Sequence, residues 1–244
     1  MKKFWGCCMG YYNRDGERVK NPKKGMKYLN SGQCAKVFYD GNSIFKEYYF
    51  ETRFSCRLSP EIFEELKDIH NVHFVELFDI YTHLTFIDLF LYQNRKISFV
   101  TDAYTAKFYE NSGINILYQP ISYVLDNFRE LEQLFDIFSS LSIEVNDVKR
   151  DNLVMDTNKI VLIDPDCFVR ANSSQETIAI GNKRSLFYLF QSMYLLETLH
   201  QFHNQEITSQ ISSYLTNIQV TEHTDITHEI SKQLKLVKKS IDRI

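Results

Sequence analysis

No stretch of this chain comes near the roughly 20 consecutive apolar residues that a membrane-spanning helix needs, so no span is expected. An excess of positive charge is also missing. Lys and Arg number 28 against 31 Asp and Glu, a formal net charge of −3, and a nucleic-acid partner would call for a basic bias. The five cysteines are an odd number with no C-x-x-C pair. That pattern excludes a disulfide framework and a zinc site, and reduced thiols in a cytoplasmic setting are expected. Residues 1–26 lack the apolar segment and small-residue cleavage site of a Sec signal peptide. Repeats and low-complexity tracts are absent. What is present is apolar: 44% hydrophobic and 14% aromatic residues over 244 positions. That supplies a sizeable core, excludes a disordered chain, and suits one large domain or two lobes sharing a cleft.

The chemistry-bearing stretch runs from Ile143 to Phe168. Asp147 and Asn152 lie five apart, and Asp164 closes the apolar run Ile160-Val161-Leu162-Ile163. Between them, Leu153-Val154-Met155 and the turn Asp156-Thr157-Asn158 predict a loop, a short strand, a turn and a second short strand. Such a hairpin sets Asn152 near Asp164. Two oxygen ligands and one further carboxylate then share a region, which suits Mg²⁺ and a phosphate rather than a soft metal.

Upstream, residues 27–49 read as three antiparallel strands, with small residues between the first two and the turn Asp40-Gly41-Asn42 before the third. Lys46 lies on that third strand. In the small-residue loop, Asn30 tolerates positive φ and Ala35 permits close backbone approach. Ser59-Pro60-Glu61 opens a helix with an N-cap serine and a first-turn proline. Ile62, Leu66 and Ile69 line one of its faces, flanked by Glu61 and Glu65 one turn apart. Segments 76–81 and 97–102 read as two further strands, completing a five-stranded sheet. The apolar segment 82–96 between them is expected to carry an inserted helix or an interaction surface. A wide apolar stripe from Ile121 to Leu141 predicts a long buried helix after Pro120. Further helices are expected from Asn182, over 209–218 and over 228–244. Residues 1–26, rich in turns and aromatics, are expected to form an N-terminal extension with a small hairpin.

The D-x-x-x-x-N spacing of Asp147 and Asn152, followed by Ile163-Asp164, resembles the catalytic loop and metal-binding triplet of the protein-kinase superfamily. Lys149 matches the lysine often found in that loop. Asn30 to Val37 is similar to the glycine-rich loop with Gly32 alone retained, and Ile44-Phe45-Lys46 to V-A-I-K. The segment 70–77 is similar to H-P-N-I-V-x-L. Asn182 to Phe187 echoes the D-x-W-S-L-G opening of a later helix. The chain departs from the family in several places. Val145 and Asn146 replace His and Arg of H-R-D, Pro165 and Asp166 replace Phe and Gly of D-F-G, and no A-P-E triplet follows.

The resemblance covers residues 27–200. It implies an α+β, bilobal, protein-kinase-like fold: an extension (1–26), an N-lobe of five antiparallel strands and a C-helix (27–103), and a mostly helical, abbreviated C-lobe (104–244). It implies ATP and Mg²⁺ as cofactors and transfer of the γ-phosphoryl group to a hydroxyl, as in an atypical protein Ser/Thr kinase. Lys46, held by Glu61 or Glu65 with Glu61 placed first, would orient the α- and β-phosphates under a loop containing Asn30, Gly32, Ala35 and Val37. Thr101 would limit pocket depth, with Asp102 and Tyr104 in the hinge that pairs with adenine. Asn152 and Asp164 would hold the metal, Asp147 would accept the hydroxyl proton, and Lys149 would neutralise charge. Asn146 stands where an arginine normally reads a loop phosphate, so constitutive activity or control by a protein partner is expected. In its shortened C-lobe the chain looks like small bacterial effector kinases, which implies delivery to a host cytosol as an alternative location. A small-molecule kinase of the aminoglycoside or choline type and a non-catalytic pseudokinase are the alternative functions.

Overall fold

The computed structural model describes residues 10–110, 119–202, 209 and 218–241. The fold is α+β, an antiparallel sheet followed by a helical portion. The chain forms two compact units. One runs to His70 and resumes over Val75–Tyr109; the other takes Asn71–Phe74 and everything from Glu110.

The first unit is built on seven strands: β1 (Gly10–Tyr12), β2 (Arg18–Val19), β3 (Lys27–Ser31), β4 (Ala35–Tyr39), β5 (Ser43–Tyr48), β6 (Leu77–Leu84) and β7 (Ala103–Lys107). Their order is β2-β1-β6-β7-β5-β4-β3, every pair antiparallel. The β4–β5 hairpin follows from its turn chemistry. Asp40 Oδ1 accepts from the amides of Asn42 and Ser43 at 2.9 and 2.8 Å, and Gly41 takes φ 103°. These backbone hydrogen bonds hold the Asp40 carboxyl below the usual range.

Seven strands replace the five expected. The two additions come from residues 10–19, where Tyr11 pairs with His83 of β6 and with Val19. Tyr11 packs with Phe45, Tyr81 and Ala103, and its hydroxyl donates to Glu47 of β5, which Lys23 also holds at 2.8 Å. The last strand also departs from expectation, occupying Ala103–Lys107 rather than 97–102. The strand flanked on both sides is the buried one: Ala103, Tyr104 and Ala106 are completely out of solvent while Ile97 is 36% exposed. Asp102 is fixed just before this strand by Arg57, whose Nη1 lies 2.5 Å from Asp102 Oδ1. Arg57 also donates to the carbonyls of Thr52, Tyr49 and Phe50.

Helix α1 (Pro60–Lys67) starts as the sequence predicts, with Ser59 Oγ accepting from the Ile62 amide at 3.2 Å. It buries Ile62, Phe63 and Leu66 and packs on β6. The apolar insertion forms α2 (Phe86–Gln93), opened by a reciprocal cap between Thr85 and Asp88.

In the second unit, α3 (Ile121–Ser140) buries the expected stripe of Val124, Phe128, Leu131, Leu134, Phe135 and Phe138. Helix α4 (Gln175–Phe202) begins earlier than expected and places Asn182 two turns inside. Helix α5 (Ile226–Ile241) packs on α3 and α4, and Glu132 of α3 accepts from its first amides, those of Ile226 and Thr227. The helix expected over 209–218 lies outside the described residues. Among the described residues, no helix is long and apolar enough to cross a membrane.

The core of this unit gathers aromatic rings from distant segments. Phe138 meets Phe74 at 5.3 Å, Phe168 at 5.2 Å and Phe135 at 5.9 Å between centroids. Phe138→Ala is expected to cost about 3–5 kcal/mol. Ile137→Ala, on the exposed face of the same helix, is expected to stay within about 0.5 kcal/mol. Urea unfolding of both variants checks the pair.

Candidate functional site

The candidate residues fall in both units, and each set has its own geometry. In the second unit the predicted hairpin forms as β9 (Leu153–Asp156) and β10 (Lys159–Leu162), with Leu153 opposite Leu162. Thr157 makes the turn at φ 55°. The ladder extends one step further, because the Ile163 amide donates to the Asn152 carbonyl at 2.9 Å. Asn152 and Asp164 therefore emerge at the same end of the hairpin.

The loop before it is shaped by Asp147, whose φ of 54° lies in the left-handed region. Asp tolerates that conformation better than most residues, and held strain of this kind clusters at functional sites. Asn152, 9% exposed, secures the loop by donating Nδ2–H to the Asp147 carbonyl at 2.8 Å. Lys149 Nζ lies 2.8 Å from Asp147 Oδ2, both side chains about half exposed. The Asp147 carboxylate pushes the Lys149 ammonium above its ordinary range. Asp164 Oδ1 accepts from the Asp166 amide at 3.3 Å.

Both ends of this segment are tied together at its base. Strand β8 (Ile143–Glu144) leads into it, β11 (Val169–Arg170) leads out, and the two pair antiparallel. Asn182, 1% exposed on α4, fastens the entry strand. Its Oδ1 accepts from the Val145 amide at 2.8 Å, and its Nδ2 donates to the Ile143 carbonyl and to Ser139 Oγ, each at 2.9 Å. Sequence reasoning placed Asn182 in a helix but not in this role. A buried Asn among Leu186, Phe187 and Leu189 was the available signal.

In the first unit, Lys46 is half-buried on β5, opposite Val37 of β4 and Tyr104 of β7. Its Nζ lies 5.9 Å from the Tyr104 ring centroid. Asn30 does not take the positive φ anticipated. It pairs with Val37 beside a β-bulge in the β3–β4 ladder, because an extended edge strand satisfies its backbone. The Gly32 amide donates to the Ala35 carbonyl at 3.0 Å, and Ala35 is buried. Thr101, Asp102 and Tyr104 stand at the entry to β7 and within it, not at the exit expected of a hinge. Asp102 is held by Arg57, Thr82 and the His83 amide. On α1, Glu61 is exposed whereas Glu65 is half-buried with Oε2 out of solvent. Glu65 is thus the more inward of the two carboxylates.

Asn152 and Asp164 offer one amide oxygen and one carboxylate, the hard-oxygen set that Mg²⁺ takes when phosphate and water complete its shell. No cluster of three His, Cys, Asp or Glu side chains that could hold a metal ion occurs among the described residues.

Replacing Asn182 by Ala strands the buried Val145 amide and Ile143 carbonyl. Denaturant titration is expected to show a loss of about 2–4 kcal/mol, and hydrogen exchange should locate the loosening in β8 and the loop after it. No protein-family model matches the chain, and no curated protein matches it.

Proposed function

We propose that this protein is an ATP- and Mg²⁺-dependent phosphotransferase with a protein-kinase-like fold, moving the γ-phosphoryl group of ATP to a protein serine or threonine hydroxyl. The observation that carries the reading is the closed segment from Val145 to Phe168. It is tied at its base by β8, β11 and Asn182, and it presents Asp147, Asn152 and Asp164 from one loop and one hairpin.

Asn152 Oδ1 and the Asp164 carboxylate would hold Mg²⁺, which when bound neutralises phosphate charge. Asp147 would take the proton of the acceptor hydroxyl as its oxygen bonds to the γ-phosphorus and the bond to the departing ADP oxygen breaks. Lys149, already ion-paired with Asp147, would take up negative charge developing beside it. Lys46 would orient the α- and β-phosphates. Burial favours Glu65 over Glu61 as the carboxylate that steadies it.

A second reading has a specific observation in its favour. After Asp164 the chain passes through β11 into α4 with no longer segment between. A short connection of this kind suits a small hydroxyl compound as acceptor, as in the aminoglycoside- and choline-type kinases.

Transfer of labelled γ-phosphate, with mixed proteins in one arm and small hydroxyl compounds in the other, separates the two acceptors. Lys46→Ala and Asp164→Ala are each expected to reduce transfer at least about 100-fold with unfolding curves unchanged. Undiminished transfer by Asp164→Ala rejects its metal role. Glu65→Gln should lower transfer strongly and Glu61→Gln weakly. Absence of any Mg²⁺-dependent thermal shift with ATP would reduce the protein to a binding scaffold of the pseudokinase type.

A further inference from the structure

His73 is a completely buried titratable side chain that the reaction does not use. It lies in the segment Asn71–Phe74, which the second unit takes from between α1 and β6. Phe74 bridges to Leu162 in parallel fashion, and the Leu162 amide donates to the His73 carbonyl at 2.9 Å. The segment is thus bridged to β10 of the hairpin that carries Asn152 and Asp164.

The imidazole contacts decide its chemistry. Nδ1 is 2.7 Å from the Ile160 carbonyl oxygen, and Nε2 is 2.6 Å from Glu130 Oε2 on α3. A carbonyl oxygen only accepts. The same Glu130 Oε2 also receives Lys159 Nζ at 2.7 Å, and an ammonium only donates, so this oxygen serves as an acceptor on both sides. Hydrogen bonds from Lys159 and His73 hold the Glu130 carboxyl below its usual range, which keeps it ionised at neutral pH. Both ring nitrogens therefore face acceptors. A neutral imidazole carries one N–H and would press a lone pair against one of them. Turning the ring over would set carbon atoms at both contacts.

We propose that His73 carries hydrogen on both ring nitrogens, and that the two hydrogen bonds they donate fasten the Asn71–Phe74 segment and helix α3 to the β9–β10 hairpin. The charged groups facing the ring are Glu130 from α3 and, through that carboxylate, Lys159 from β10. Asp126 and Arg129 of α3 are paired with each other at 3.0 Å. This inference stands whether or not the phosphotransfer reading holds.

Nitrogen NMR of the ¹⁵N-labelled full chain at pH 7 tests the first half. Hydrogen on both His73 ring nitrogens is expected, and one bare nitrogen overturns the proposal. Hydrogen exchange of the Leu162 amide at pH 7 tests the second half. Protection should fall at least about tenfold in His73→Phe, which fills the site without hydrogen bonds, and less in Glu130→Gln, which keeps an acceptor oxygen on a partly exposed side chain. Unchanged protection in His73→Phe overturns the fastening.

Discussion

The amide of Asn182 is the contact on which the second unit's candidate loop depends. One side chain satisfies a buried N–H and a buried C=O at the point where β8 ends and the loop begins, and joins both to Ser139 of α3. Backbone groups at such a point have left regular structure and have no water. A buried polar group left unmatched costs about 1–3 kcal/mol, so one amide that matches both removes a penalty which would favour unravelling. With β8 paired to β11 just outside it, the segment from Val145 to Phe168 becomes a loop closed at its neck. The conformations of Asp147, Asn152 and Asp164 are then set from below.

The first unit solves a comparable problem with charge. Arg57 is 8% exposed and distributes its donors over Asp102 and three carbonyls of the chain between β5 and α1. Asp102 in turn accepts from Thr82 and the His83 amide. A buried ion pair stabilises only when its remaining donors and acceptors are also matched, and this one meets that condition. It ties the entry of β7 to β6 and to the approach to α1, which determines where Lys46 and Glu65 stand within their unit. On the opposite pleat of β5, Glu47 is held by Tyr11 and Lys23. The segment preceding β3 is thereby a structural part of the sheet.

What could be read from the sequence was local. The β9–β10 hairpin was legible because Asp156-Thr157-Asn158 is turn chemistry between two apolar runs, and α1 because Ser59 and Pro60 announce its start. The stripe of α3 needed only its period. What could not be read depended on distant partners. Residues 10–19 join the sheet through pairing with β6, some seventy positions away, which no local pattern reports. The β-branched and aromatic residues of 97–102 suggest a strand more strongly than Ala103-Tyr104-Thr105-Ala106, yet it is the latter segment that pairs with both β5 and β6. Asn30 was read for positive φ because its loop was aligned to a glycine pattern, whereas its ladder partner Val37 keeps it extended. At the candidate site, the identities of Asp147, Asn152 and Asp164 were legible from spacing. The contacts of Asn182 and His73 were not, because each depends on partners contributed from far along the chain.

These contrasts separate the residues that hold the loop from those free to act. Asp147 and Lys149 pair across about half-exposed side chains, an arrangement worth roughly 0–1 kcal/mol, so the fold does not depend on it. Asp147 also holds a left-handed backbone that an unconstrained aspartate adopts only at a cost. Asn152 and Asn182 are buried, and each donates its amide N–H to backbone of the loop or its base. A loop whose stability came from its tip would have its charged groups saturated there. Here the anchoring lies beneath, and the strained tip exposes a carboxylate and an ammonium to whatever approaches. That distribution separates the anchoring of the loop from the side chains at its tip.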